Sequence, residues 1–190
     1  GAVGDDDSGA SSGSAYIFRR TATNSWDAAG TKITASDGAA NDYFGSSVSI
    51  SGDYAIVGAI GDHNWNNSGS AYIFRRTGTN SWDAGTKISA SDGEASDYFG
   101  WSVSISGDYA IVGAYKDDDN GNWSGSAYIF RRTGTNSWDA GTKIVAFDGA
   151  SGAPFGWSVS ISGDYAIVGA YRDNDNGYLS GSAYIRWIAP

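Results

Sequence analysis

The chain has 190 residues, a formal charge of −9, 41% hydrophobic residues, 28 Gly, 2 Pro, no Cys and no Met. A net-acidic surface repels a nucleic-acid backbone. The lack of Cys excludes disulfides and thiolate metal centres, and a single His, His63, cannot build a His-rich zinc site.

No apolar run reaches the roughly 18 residues a membrane-spanning helix needs, so membrane insertion is not expected. The sequence opens in mid-motif at Gly1-Ala2-Val3-Gly4, with no visible signal peptide. A processed chain and a piece of a longer repetitive one both fit that opening.

In chain order, an acidic loop (Asp5-Asp6-Asp7-Ser8-Gly9) leads to the segment Ser-Gly-Ser-Ala-Tyr-Ile from Ser12, which reads as a strand. Thr-Asn-Ser-Trp-Asp follows from Thr23. In the next unit, Val48 and Ile50 alternate with Ser47, Ser49 and Ser51, the period of two that places apolar side chains on one face of a strand. Gly52-Asp53 reads as a two-residue hairpin turn into a second strand over 54–59. A polar loop over 61–67 leads to a third strand over 70–76, with Tyr72 and Phe74 on one face and Ala71, Ile73 and Arg75 on the other. A fourth strand is expected over 82–90, and Asp92-Gly93 turns towards the next unit. Gly interrupts every stretch that could be helical, and no capping box opens an amphipathic run.

These elements recur. The thirteen residues SVSISGDYAIVGA begin at Ser47, Ser102 and Ser158, and Ser-Gly-Ser-Ala-Tyr-Ile begins at Ser12, Ser68, Ser124 and Ser180, 56 residues apart each time. Repeats of this length belong to propeller-like blades rather than to helical solenoids. In the last unit the Ile-Phe-Arg-Arg of earlier units becomes Ile185-Arg186-Trp187-Ile188, the kind of change seen where a repeat caps a stack or meets a partner.

Phe44-Gly45, Phe99-Gly100 and Phe155-Gly156 are each followed by a Gly-Ala pair at Gly58-Ala59, Gly113-Ala114 and Gly169-Ala170. In this the chain resembles FG-GAP repeats, the blades of integrin α-subunit propellers and of many bacterial surface proteins. The resemblance implies an all-β fold of β-propeller-type blades, each of four antiparallel strands, in about 3.4 repeats. As one domain over 1–190, the chain divides into a partial blade (1–38), two blades (39–93 and 94–149) and a partial blade (150–190). Ile60, Tyr115 and Tyr171 replace the Pro of the motif, and the calcium loop of integrin blades is reduced to Ser-Gly-Asp. The family's calcium ligands therefore do not carry over, and Asp53, Asp108 and Asp164 read as turn residues.

The loops between second and third strands carry alternating Asp, at Asp5 and Asp7, Asp117 and Asp119, and Asp173 and Asp175. They are candidate calcium ligands, because a hard cation gathers several oxygens. Against that reading, the Gly falls one place early for an EF-hand loop, no bidentate Glu follows, and a solvated turn explains the same residues. Folding is expected not to require a cofactor. Asn66 and Asn122 head N-x-S sequons, and Trp65 and Trp123, in polar loops, are candidate stacking platforms for sugar.

There is no G-x-S-x-G elbow, and His63 lies in a loop unlike its counterparts, so no catalytic centre is expected. The first unit lacks a first strand and most of a second, and the last lacks a fourth. Such edges are templates for pairing. The resulting expectation is a non-enzymatic extracellular or cell-surface structural or adhesive protein whose partner is itself, in a homo-oligomer or filament joined through the N- and C-terminal strands. The alternative is a propeller lectin with glycans as partners and calcium as a helper.

Overall fold

A computed structural model describes residues 1–62 and 66–188. Its regular elements are all strands. The first unit contains β1 (Ala15–Ile17), β2 (Arg20–Ala22), β3 (Ser25–Trp26) and β4 (Thr31–Ile33). The second contains β5 (Phe44–Ser51), β6 (Tyr54–Ala59), β7 (Ser70–Gly78), β8 (Ser81–Trp82) and β9 (Thr86–Ile88). The third repeats it as β10 (Phe99–Ser106), β11 (Tyr109–Ala114), β12 (Ser126–Gly134), β13 (Ser137–Trp138) and β14 (Thr142–Ile144). The last has β15 (Phe155–Ser162), β16 (Tyr165–Ala170) and β17 (Ser182–Trp187).

Each full unit is an antiparallel blade in which the second strand pairs with the first and third, and the third also pairs with the Thr-Lys-Ile strand. The Gly52-Asp53 turn closes between the paired residues Ser51 and Tyr54, with φ of 57° at Gly52. That is the first central position of a type II′ hairpin, where Gly alone is unstrained.

The expected fourth strand is two pieces. Ser81–Trp82 pairs with the far end of β7, and Thr86–Ile88 with its near end. Between them the Asp83 carboxylate accepts hydrogen bonds from the Arg75 and Gly85 backbone amides at 2.9 and 3.1 Å, taking the place of a ladder partner. Gly85, at φ 80°, carries the chain over the Phe74 ring, where a Cβ would come within 2.8 Å of that ring.

The cores lie between blades. Ile56, Ala71, Ile73 and Ile88 of one blade meet Phe99, Val103, Ile105, Val112, Tyr128 and Phe130 of the next. The alternation read from the sequence thus buries both faces of the third unit's sheet, one against each neighbour. Phe99 packs edge-on against Tyr128 and Phe130, with centroids at 5.4 and 6.0 Å, as Phe44 does against Tyr72 and Phe74.

Two further features lock successive blades together. Serines on the first strand accept hydrogen bonds from the next unit's first strand: Val103 N donates to Ser47 Oγ (3.1 Å) and Ile161 N to Ser104 Oγ (3.1 Å). The two motif glycines also face each other across the blade boundary. A Cβ on Gly58 would lie 2.0 Å from the Gly100 carbonyl oxygen, and one on Gly113 would lie 2.1 Å from that of Gly156. Backbone-to-backbone approach this close admits only Gly.

The second unit's first strand and the last unit are covered on fewer sides. Val48 and Ile50 are exposed, whereas their equivalents Val103 and Ile105 are buried. A groove of about 200 Å³ lined by Ala15, Ile17, Ile33, Val48 and Ile50 lies where a full blade would place its first two strands. At the other end, β17 pairs only with β16 among the described residues, and Ile185 is 73% exposed where Ile73 is 2%.

Candidate functional site

The acidic loops are drawn together by the strand pairing. Each Thr-Lys-Ile strand lies opposite Ala-Tyr-Ile of the third strand, pairing Lys32 with Tyr16, Lys87 with Tyr72 and Lys143 with Tyr128. Each lysine therefore projects beside a tyrosine, its ammonium 5.5–5.7 Å from the ring centroid. Two loops converge on that point. One leaves the second strand and carries Asp5, Asp62, Asp117 or Asp173. The other is the Asp-Gly turn that ends the preceding unit and carries Asp37, Asp92 or Asp148.

In the second unit, Lys87 Nζ lies 2.7 Å from Asp37 and 2.7 Å from Asp62, and the Tyr72 hydroxyl lies 2.7 Å from both carboxylates. In the third, Lys143 Nζ lies 2.9 Å from Asp92 and 2.7 Å from Asp117 and also pairs with Asp119, with the Tyr128 hydroxyl 2.8 Å from Asp92. In the first, Lys32 lies 3.1 Å from Asp5 and pairs with Asp7, and the Ser14 hydroxyl donates to Asp5 at 2.6 Å.

The last unit repeats the carboxylates without the lysine. The Tyr184 hydroxyl lies 2.7 Å from Asp148 and 2.7 Å from Asp173. Oxygens of Asp148, Asp173 and Asp175 all lie within 4.8 Å of one another. The Thr-Lys-Ile strand that would follow β17 is not among these residues.

Charge follows the same pattern. Burial opposes ionisation of Asp37 and Asp92, but Lys87 and Lys143, with the tyrosine hydroxyls, outweigh it and hold both carboxyls below their ordinary value. At Lys87 and Lys143 burial disfavours the cation, yet the surrounding carboxylates raise both above the usual lysine range. In the last unit, burial at Asp173 is outweighed by the Tyr184 and Ser182 hydroxyls, so that carboxyl is lowered. Asp175 is raised, first by the charge of Asp173 and then by burial and Asp148.

Of the six aspartates singled out from the sequence, Asp5, Asp7, Asp117 and Asp119 thus converge on a lysine, and Asp173 and Asp175 converge with Asp148. An ammonium already sits among the first four and offsets part of their charge. By geometry the last set could hold a divalent ion. Sequence reasoning missed Asp148, the three lysines and the tyrosines. The available signal was the invariant Thr-Lys-Ile that closes each full unit.

Asn66 and Asn122 are both exposed, and their carbonyls accept hydrogen bonds from Ser96 N (2.7 Å) and Gly152 N (2.9 Å) of the following loop. Trp65 and His63 lie outside the described residues. Trp123 is exposed, with Lys116 Nζ 5.1 Å from its ring centroid. A row of rings runs across the blade boundary instead: Trp101 on Tyr115 at 4.5 Å, Tyr115 on Trp157 at 5.0 Å and Trp157 on Tyr171 at 4.4 Å.

Of the turn residues, Asp53 and Asp108 receive Arg76 and Arg132, whose Nε atoms donate at 2.8 and 2.9 Å. The hairpin tip of each blade reaches back to its predecessor. Asn80 accepts from Arg19 (3.0 Å) and donates to Asp27 (3.2 Å), and Asn136 does the same with Arg75 and Asp83.

Among curated proteins, none matches the chain. The FG-GAP repeat family model matches residues 29–74, 82–130 and 138–186. Those three stretches hold most of the chain, and they carry the facing Phe-Gly and Gly-Ala glycines that set the blade spacing; the chain belongs to the FG-GAP repeat family.

Proposed function

We propose that this chain is an extracellular structural module that assembles with copies of itself, the open blade of one copy being completed by strands of the next. FG-GAP repeats are non-catalytic all-β modules typical of extracellular structural and adhesion proteins, and the chain is not an enzyme. Among the described residues no helix is long and apolar enough to cross a membrane.

The observation that carries the proposal is the pair of complementary open edges. β17 offers unpaired backbone groups and the exposed Ile185, while the opposite end offers the groove beside Val48 and Ile50. In the interior of the same chain, those positions are buried against a neighbouring blade. Exposed strand edges of this kind pair with another chain by β-augmentation, and a head-to-tail contact that does not close on itself yields a filament. Sedimentation and electron microscopy of the purified 190-residue chain test this, with oligomers or fibres expected. A monomer at high micromolar concentration would refute it.

A second reading, glycan binding, is favoured by the exposed Trp123 and by the aromatic row ending at the exposed Tyr171. Sugar faces stack on such rings. Retention on a sugar-affinity column that is lost in Trp123→Ala would support it.

A further inference from the structure

We infer that Tyr98, Tyr115, Lys116 and Trp123 form a binding site for a sugar that carries a carboxylate, a uronic-acid unit of an acidic glycan. The sugar face lies on Trp123 and its carboxylate on the Lys116 ammonium. This inference rests on the glycan reading above and names the class of glycan.

The site joins the second and third units, with further units of the chain on both sides. Tyr98 stands in the turn that enters β10, Tyr115 and Lys116 directly follow β11, and Trp123 lies in the loop that leads to β12. Together they set three rings around one ammonium: Lys116 Nζ lies 4.5 Å from the Tyr98 centroid, 5.6 Å from that of Tyr115 and 5.1 Å from that of Trp123. Lys32, Lys87 and Lys143 all sit among carboxylates. Lys116 makes no ion pair among the described residues, and Asp117 and Asp119, which follow it in the same loop, are held by Lys143. Ring faces attract the cation but leave its charge without an anion.

The repeats are close copies, yet this cluster is assembled in one of them. At the same positions the second unit carries Tyr43, Ile60, Gly61 and Asn67, and the last carries Pro154, Tyr171, Arg172 and Leu179. The blade fold therefore does not require it. Trp123 stands at φ 58°, in the left-handed region that Asn67 enters at the same position with less strain. It is also 45% exposed, so burial does not repay that strain, and strained backbone of this kind gathers at binding sites.

An exposed indole offers its face to the C–H groups of a pyranose. The 5.1 Å between that ring and Nζ is a span one sugar covers, so a carboxylate at C6 meets the ammonium in a charge-assisted hydrogen bond. Tyr115 is wedged against Trp101 at 4.5 Å and Trp157 at 5.0 Å, and Tyr98 lies 5.8 Å from Tyr115. These rings are fixed before a ligand arrives, which lowers the ordering cost of binding. A chain of charge −9 gives an anionic glycan no long-range attraction, so its recognition is local and rests on this one ammonium.

The test titrates the full chain calorimetrically with trigalacturonic acid and with its methyl ester, which keeps the sugar faces and lacks the charge. The wild type is expected to bind the acid roughly tenfold more tightly than the ester, the size of one charged hydrogen bond. Lys116→Met, which keeps the apolar stem, is expected to bring the acid down to the ester's affinity and leave the ester unchanged. Trp123→Asn places the second unit's own residue at this position, so the fold accepts it, and is expected to weaken both ligands by about tenfold through loss of stacking. An array of neutral and acidic glycans is probed with the wild type in parallel.

Equal affinity for acid and ester, a preference that survives Lys116→Met, or array binding confined to neutral glycans overturns this inference while leaving the glycan reading standing. Trp123→Asn without effect on either ligand moves the sugar off this site and overturns it as well. A chain that binds neither ligand and nothing on the array overturns both.

Discussion

Replacing Lys143 with Met removes the ammonium while keeping a long apolar stem, and the structure sets the size of the effect. Asp117 is 3% exposed and lies 2.7 Å from Lys143 Nζ. Removing one partner of a buried pair costs about 3–5 kcal/mol, because the remaining charge is left without compensation. Asp117 keeps the Tyr128 hydroxyl at 3.1 Å and the Asp119 amide at 3.3 Å. Asp92 and Asp119 are open enough to be hydrated. The expected loss is therefore about 2–3 kcal/mol, below the full figure. Lys87→Met leaves the nearly buried Asp62 and should cost a similar amount or slightly less. Lys32→Met, whose carboxylates are hydrated, should have the smallest effect of the three.

Urea denaturation measures the totals, and hydrogen exchange at Ala127–Ile129 locates the loss on the β12–β14 pairing. The double variant Lys143→Met with Asp117→Asn should recover part of the loss, because no buried charge is left unpaired. Equal costs for Lys32 and Lys143, or a stabilising Lys143→Met, would refute the reasoning that burial of the carboxylate sets the strength of each hub.

Asp97, buried and accepting from Glu94 N at 2.6 Å, has its pKa pushed up to about 6, first by burial and also by the nearby charges of Asp117 and Asp118. Its folded-state value lies above the ordinary 3.8, so the folded chain holds an extra proton between the two, and stability should fall as pH rises from about 4 to about 6. Asp97→Asn should flatten that slope in melting-temperature profiles. Gly113→Ala places a Cβ against the Gly156 carbonyl and should cost about 3 kcal/mol. Gly107→Ala, at φ 57° with nothing within 4 Å, should cost only about 1 kcal/mol, as equilibrium unfolding would show. Tyr128→Phe, which takes a donor from Asp92 and Asp117, should lower stability by about 1–2 kcal/mol in the same assay.

The all-β blade was legible because local rules and packing agree in it. Val48 and Ile50 alternate with serines, Gly52 supplies a positive φ at the turn, and thirteen residues recur three times without change. What could not be read was the second use of each residue. The serines of the first strand read only as the polar half of the alternation, yet they accept the amides of the next blade's first strand, a contact between residues about 56 apart. The fourth strand looked continuous because Trp82 to Ala90 contains strand formers. Asp83 breaks it by taking the Arg75 amide for itself, since a short carboxylate competes with the ladder for nearby backbone donors.

The hubs were hidden for a related reason. Alternating Asp in a loop suggests an ion when the loop is considered alone, and the cations adjacent in sequence, Lys116 and Arg172, lie over the Tyr98 and Tyr171 rings. The compensating charge lies 25 to 27 residues later, on Lys32, Lys87 and Lys143, and only the pairing of third and fourth strands brings it to the loop. One carboxylate of each interior hub comes from the preceding unit, as Asp37 does for Lys87. A hub is thus a property of two adjacent blades and a completed sheet. Beside β17 the same carboxylates gather without a lysine among the described residues, and the charge of Asp173 raises Asp175 above its ordinary value.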